Sequence, residues 1–140
     1  IGKRTSRIGY AESADGVTMK RLDSPVLFPG GDEFESIECP GGCEDPRVAM
    51  TEDGLYVMLY TAWNRKTPRL AVATSKDLKN WTKHGLAFEK AYDGRFARIA
   101  TKSASILTKV KGGKLVIDKV DGKYFMYWEN MPYTQLLPIT

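Results

Sequence analysis

The sequence predicts an all-β chain forming part of a β-propeller, and three observations carry that prediction. The chain repeats itself at intervals of sixty-odd residues. Its strand-like segments are short, rich in Val, Tyr, Met and Leu, and bounded by Gly, Asp and Asn. No segment carries a convincing helical period.

In chain order, the first element is RIGYAESADGVTM, Arg7 to Met19. It aligns without gaps on RLAVATSKDLKNW: Arg7, Ala11, Ser13, Asp15 and Met19 fall on Arg69, Ala73, Ser75, Asp77 and Trp81, an offset of 62 (69 minus 7). Next comes ECPGGCEDPRVAM, Glu38 to Met50, read as a turn running into the innermost strand of a blade. Gly41-Gly42 lets the chain turn sharply. Pro46 fixes its own φ and biases Asp45 toward extended geometry. A regular strand places Asp45 and Arg47 on one face and Glu44 and Pro46 on the other. The stretch LYVMLYTAW follows the Asp53-Gly54 turn and is apolar on both alternating faces, with Leu55, Val57 and Leu59 on one side and Tyr56, Met58 and Tyr60 on the other. Such a strand belongs in a sheet covered on both faces. It recurs as DGKYFMYW, where Asp53, Gly54, Tyr56, Met58 and Tyr60 fall on Asp121, Gly122, Tyr124, Met126 and Trp128, an offset of 68 (121 minus 53). SKDLKNWTKHG has a capping-like Ser75, but the repeat places it at a turn. TKSASIL reads as a strand introduced by Lys102, and the ending NMPYTQLLPIT departs from the strand pattern and reads as an interruption.

Propellers close with roughly four to eight blades, and this chain holds about two units. Two blades leave open sheet edges. The expectation is therefore a partial propeller domain over residues 1–140, with C-terminal blades missing from it. A small self-contained β-sandwich with coincidental repeats is the alternative.

The composition, 140 residues with 42% hydrophobic and 27% charged, is that of a globular domain. No apolar run reaches the roughly 18 residues of a membrane helix, and IGKRTSRIGYAES contains no apolar signal-peptide core. No membrane association and a bacterial cytoplasmic location are the expectations. The net charge of +4 is spread without the dense basic block that grips nucleic acid. An anionic small substrate fits it, and so do scattered solvated lysines. Cys39, Cys43 and the lone His84 do not make a conventional zinc set, so no metal is expected. A disulfide across Pro40-Gly41-Gly42 is one option, and two reduced thiols the favoured one. Asn80-Trp81-Thr82 matches the glycosylation sequon.

GGCEDPRV, followed by YTAWNRKTPRLAVATSKDLKNW, resembles glycoside hydrolase family 130, the mannoside phosphorylases. The upstream SRIGYAESADGV and SPVLFP and the downstream KSASIL and GKYFMYW share the resemblance, which extends to about Trp128 and is strongest toward the mannosylglucose phosphorylase branch. It implies a five-bladed β-propeller well over twice this length. It implies cleavage of β-mannosides, here β-1,4-mannosyl-glucose, by inorganic phosphate with inversion to α-mannose 1-phosphate; a minority of the family hydrolyses instead. It makes Asp45 the proton donor, acting through a mannose hydroxyl. Inverting hydrolysis needs a second carboxylate to activate water. Phosphorolysis instead needs cations to hold phosphate under the anomeric carbon. Arg65, Lys102 and Arg69 are the candidates, although Arg69 also matches Arg7 in the repeat and equally suits a structural role. Ser6, Arg7 and Arg47 are candidate sugar contacts. The implied partners are a small oligosaccharide and phosphate, with no other cofactor and no nucleic acid, and a homo-oligomer of the full-length protein is compatible with this. One tension is visible: a general acid gains from a raised pKa, whereas an Arg47 sharing Asp45's face favours the ionised form. The competing readings are a local Asp–Arg pair in an acidic turn, a β-mannosidase on the same scaffold, and a catalytically inactive fragment. A propeller of the arabinanase or fructosidase kind is a further one, but it lacks the GGCEDPR and TAWNRKTPR combination.

Overall fold

A computed structural model describes the backbone of residues 4–130 and 133–139 and the side chains of residues 4–129. The doubly apolar stretch after Asp53-Gly54 forms the second strand of an antiparallel meander: β3 (Gly42–Met50), β4 (Tyr56–Trp63), β5 (Pro68–Ser75) and β6 (Thr82–Leu86) pair in sequence order. Before it lie the hairpin β1 (Ala11–Glu12) with β2 (Lys20–Arg21) and a one-turn helix α1 (Glu35–Glu38). After it come a 3-10 turn at Ala91–Gly94, then β7 (Thr101–Ile106), β8 (Thr108–Lys111), β9 (Lys114–Ile117), β10 (Lys119–Val120), β11 (Lys123–Asn130) and β12 (Tyr133–Ile139). Strands β7, β11, β12 and β10 form a second sheet centred on β11. The chain is all-β, and β7 packs against β3, β4 and β5, so the two sheets stack as adjacent blades of a propeller.

The two faces of β4 explain the stacking. Met58, Tyr60 and Ala62 join Ile8, Leu27, Cys43, Ala71 and Ala73 in one core, which seats the N-terminal segment. Leu59 joins Leu70, Phe88, Ala104, Met126 and Trp128 in another, which holds the two blades together. Trp128 and Tyr60 are fully buried. Phe88 and Phe96 both pack on the Trp128 ring, at centroid separations of 4.8 and 6.1 Å. Aromatic pairs in this range add packing energy beyond their buried area.

The 62-residue repeat is a repeat of hydrogen bonds. Ser13 Oγ donates to Asp15 Oδ1 at 2.8 Å, and the same Asp15 oxygen accepts from Val17 N and Thr18 N. Ser75 Oγ donates to Asp77 Oδ1 at 3.0 Å, and that oxygen accepts from Lys79 N and Asn80 N. Gly16 and Leu78 take the same left-handed position, with φ of 76° and 65°. The turn-forming carboxylate thus satisfies local N–H groups that a helix would otherwise have used, which is why the Ser75 segment is a turn.

One expectation is corrected, and one element escaped the sequence pattern. The ending read as an interruption contains β12, paired along its length with β11. Pro138 lies opposite Phe125 in that pairing. Residues 107–118, left unassigned by pattern, form the β8–β9 hairpin around Gly112-Gly113. It attaches to the first sheet through one parallel pair, Met50 with Val116.

Beneath the start of β3 lies a buried charge cluster. Glu38 is fully buried at the end of α1. It accepts from Tyr60 Oη at 2.8 Å and from Lys83 Nζ at 2.6 Å. Lys83 Nζ also donates to Asp32 Oδ2 and to the Phe28 carbonyl, both at 2.8 Å. The cluster clasps the 28–39 segment to both β4 and β6. Burial of a charge is tolerable only when its partner is in place. Lys83→Met is therefore expected to lower unfolding free energy by about 3–5 kcal/mol, and pairing it with Glu38→Gln to recover part of the loss, both read by urea denaturation. A second expectation concerns acid. Hydrogen bonds from the backbone and side chain of Asn80 and from Lys79 N hold the Asp77 carboxyl well below the usual range. Its folded-state pKa is depressed, so its contribution is present above the unfolded value of about 3.9 and lost as pH falls below it. The stability gap between the wild type and Asp77→Ala should narrow between about pH 6 and about pH 2 in parallel denaturation curves.

Candidate active site

The pairing of β3 with β4 is interrupted where the chemistry is expected. Gly42, Cys43 and Glu44 oppose Trp63, Ala62 and Thr61, but the next pair is Arg47 with Leu59. Asp45 and Pro46 together oppose Tyr60 alone, a β-bulge. Asp45 has φ of 49°, in the left-handed region. The expected regular alternation, with Asp45 extended and sharing a face with Arg47, is therefore not found. Asp tolerates left-handed geometry better than most residues, and the extra bulge residue overrides the bias from Pro46. The consequence is chemical. Arg47 Nη1 donates to the Pro46 carbonyl at 3.1 Å, and among the described residues it forms no ion pair with Asp45 or Glu44. The tension between an acid and a facing guanidinium disappears with the alternation.

The free edge of β3 is closed at its two ends and open between them. Ser6 bridges to Gly42: Ser6 N donates to the Gly41 carbonyl at 2.7 Å, and Cys43 N donates to the Ser6 carbonyl at 3.0 Å. A Cβ on Gly42 would collide with the Ser6 backbone, and one on Gly41 with Trp63. The glycine pair therefore serves close packing as well as turning, and Gly42 at φ of 120° needs both freedoms. Ser6 Oγ donates to Glu44 Oε1 at 2.7 Å. Between this bridge and the Met50–Val116 pair, Asp45, Pro46, Arg47 and Val48 are exposed. The Asp45 carboxylate accepts no hydrogen bond among the described residues.

The candidate cations sit on three different segments, the turn after β4, the start of β5 and the start of β7. Asn64 Oδ1 accepts from Lys66 N at 3.1 Å and Thr67 N at 3.0 Å, and Asn64 Nδ2 donates to the Ser36 carbonyl at 3.2 Å. That turn holds Arg65 exposed at φ of 62°, with Nη2 donating to the Arg4 carbonyl at 3.2 Å. Arg65 is thus tied to the segment bearing Ser6 and Arg7. Arg69 lies opposite Ala62, itself opposite Cys43, and its Nε is buried with no hydrogen-bond partner among the described residues. Leu70 N donates to Thr101 Oγ1 at 2.9 Å, which sets Arg69 and Lys102 at one end of the two blades. Arg7 is exposed beside the buried Ile8. The structure therefore links Ser6 to Glu44, Arg65 to the N-terminal segment, and the chain neighbours of Arg69 and Lys102, Leu70 and Thr101, to each other. It leaves Arg47 apart from Asp45. Sequence reasoning missed Asn64, although an Asn at the end of a strand pattern is a recognisable turn signal.

Cys39 and Cys43 are both free thiols. Burial, reinforced by the nearby Glu38 charge, pushes the Cys43 thiol well above its ordinary range. Among the described residues no group of three or more His, Cys, Asp and Glu side chains is placed to hold a metal ion. No described helix is long and apolar enough to cross a membrane.

Gly42→Ala tests how far the site depends on that close approach. It is expected to lose about 2–3 kcal/mol of stability in urea denaturation, with most of the cost from strain at the Ser6 bridge.

Comparison with known proteins bears on this geometry. One protein-family profile, described as beta-1,4-mannooligosaccharide phosphorylase, matches residues 2–137. A 1,2-beta-oligomannan phosphorylase from Thermoanaerobacter sp. (strain X514) is 33% identical over 134 residues, which are 94% of this chain and 37% of the relative. An inferred glycoside hydrolase from Bacteroides ovatus ATCC 8483 has a solved structure that is 78% identical, with a TM-score of 0.87, covering 89% of this chain and 37% of that one. Another solved structure, 56% identical with a TM-score of 0.87, covers 96% of this chain and 40% of that one. It is described by the statement that the GH130 family of mannoside phosphorylases contains glycoside hydrolases that target beta-1,2 mannosidic linkages in Candida mannan. The chain spans little more than a third of the length of these relatives.

Proposed function

Since the chain belongs to glycoside hydrolase family 130, we propose that the protein containing it cleaves β-mannosides, with Asp45 as proton donor. The observation that carries this reading is the placement of Asp45: a carboxylate in a bulge on the open edge of β3, unclaimed by any described neighbour. A bulge re-aims a side chain at such an edge, and bulges concentrate beside active sites. The proton passes to the glycosidic oxygen through a hydroxyl of the bound mannose. Phosphate then attacks the anomeric carbon from the opposite face, the bond to the leaving sugar breaks with inversion, and the leaving oxygen carries the relayed proton away. Arg65, Lys102 and Arg69 are proposed to hold the phosphate. A guanidinium offers two parallel donors to such an anion. Ser6, Arg7 and Arg47 are proposed sugar contacts.

For the linkage, the sequence motifs favour β-1,4-mannosyl-glucose, whereas the names of relatives at 33% and 56% identity favour a β-1,2 mannoside. A second reading, hydrolysis, rests on a specific observation. The relatives above 50% identity cited here carry hydrolase descriptions, whereas the phosphorylase from Thermoanaerobacter is 33% identical. In that case a second carboxylate outside the motif activates water.

The test uses the full-length protein with β-1,2- and β-1,4-linked manno-disaccharides. Phosphorolysis requires that turnover vanish in phosphate-free buffer and that mannose 1-phosphate accumulate with phosphate present; free mannose at full rate without phosphate would establish the hydrolytic reading instead. Asp45→Asn is expected to lower kcat about a thousandfold with the melting temperature preserved.

A further inference from the structure

The bulge that presents Asp45 is not unique to β3. In the second blade, Lys102 opposes Glu129 and the next inward pair is Ser105 with Tyr127. Ser103 and Ala104 therefore oppose Trp128 alone, as Asp45 and Pro46 oppose Tyr60. The two sites correspond in pairing register, not in residue type: the inner strands are offset by 58 (103 minus 45) and their partners by 68 (128 minus 60). Ser103 has φ of 50° against 49° for Asp45. The residue before each bulge is charged, Glu44 in one blade and Lys102 in the other. The aromatic opposite each is fully buried.

The residue types at these two positions are informative. Among the described residues glycine takes nine other positive-φ positions, where the conformation carries little cost. Arg65, Leu78, Tyr92, Asp93 and Asp121 also have positive φ, but each lies outside the β-strands. Asp45 and Ser103 are the only non-glycine residues among those described that adopt it inside a strand. Keeping a side chain there is strained relative to a relaxed backbone, and such strain clusters at functional sites. Ser103 is half-buried, and its hydroxyl makes no hydrogen bond among the described residues. Its blade packs β7 directly against β3.

We infer that Ser103 is a substrate-binding residue, presented by β7 as Asp45 is presented by β3, whose hydroxyl hydrogen-bonds a ring hydroxyl of a mannoside lying across the two inner strands. The inference rests on the mannoside-cleaving reading and adds to it a contact from the second blade. Neither a phosphate-binding cation nor the proton donor supplies this contact, so it bears on sugar recognition alone.

The experiment compares Ser103→Ala and Ser103→Gly in the full-length protein, on the β-linked manno-disaccharide that the wild type turns over. Alanine removes the hydroxyl and keeps the backbone strain; glycine removes both, and it also guards against a misfolded alanine variant. Both variants are expected to lose about five- to tenfold in kcat/KM, chiefly through KM. Ser103→Gly should meanwhile melt at or above the wild-type temperature. Wild-type kcat/KM in Ser103→Ala would overturn the inference. So would wild-type kcat/KM in Ser103→Gly, because backbone geometry would then account for any alanine defect. A wild type that cleaves no β-mannoside overturns the underlying functional reading, and this inference with it, whereas active wild type with indifferent variants overturns the inference alone.

Discussion

The constraint on which the site depends is the two-against-one pairing of Asp45 and Pro46 with Tyr60. A side chain in a strand changes face with every residue, so one extra residue exchanges the faces for everything that follows. Before the bulge, β3 must bury Cys43 among Ile8, Met58 and Ala62. After it, Val48 and Ala49 must stay in register with Met58 and Val57. A regular strand cannot meet both demands, because four residues (44–47) separate Cys43 from Val48 where three (59–61) separate Ala62 from Met58. The bulge absorbs the mismatch, and the residue that absorbs it is the carboxylate.

Rigid supports surround this local irregularity. On the outside, the Glu38–Tyr60–Lys83–Asp32 cluster fastens the approach to β3 against β4 and β6 with charge-assisted bonds of 2.6 to 2.8 Å. Tyr60 belongs to both devices: its ring fills the core opposite the bulge, and its hydroxyl is spent on Glu38. On the open side, Ser6 occupies the only space that Gly42 leaves for it. Strain at Asp45 can persist because the surrounding contacts over-determine its backbone. Repetition of the bulge over Trp128 extends the same solution to the next blade.

Much of the architecture was legible in the chain. The both-face apolar pattern of β4 announced a sheet covered on both sides, and its two cores lie on those two faces. The 62-residue match of Ser13 and Asp15 with Ser75 and Asp77 proved to be one hydrogen-bonded turn used twice. Less was legible where pairing, not local pattern, decides. The strand β12 was hidden by Pro138, a residue that local propensity counts against a ladder although it lies within one here. In the β8–β9 hairpin burial does not follow hydropathy, since Val116 and Ile117 are buried while the equally apolar Val110 and Leu115 are largely exposed, so pattern there carries little signal.

The acid and its candidate cations were marked through the resemblance to a known family; the sequence by itself determined the strand-and-turn content and the repeat. These follow from local chemistry: apolar alternation, Asp and Ser closing turns on their own backbone, glycine where no Cβ fits. Only the tertiary structure decided which of those residues meet. Arg47 sits two positions from Asp45 and does not pair with it, whereas Ser6, 38 residues from Glu44, does bond to that neighbour. The equivalence of Asp45 and Ser103 was likewise invisible, because the two inner strands share no residue type there. The physical reason is that a bulge is defined by the register between two strands, and register is a property of their pairing, fixed only when the cores on both faces close.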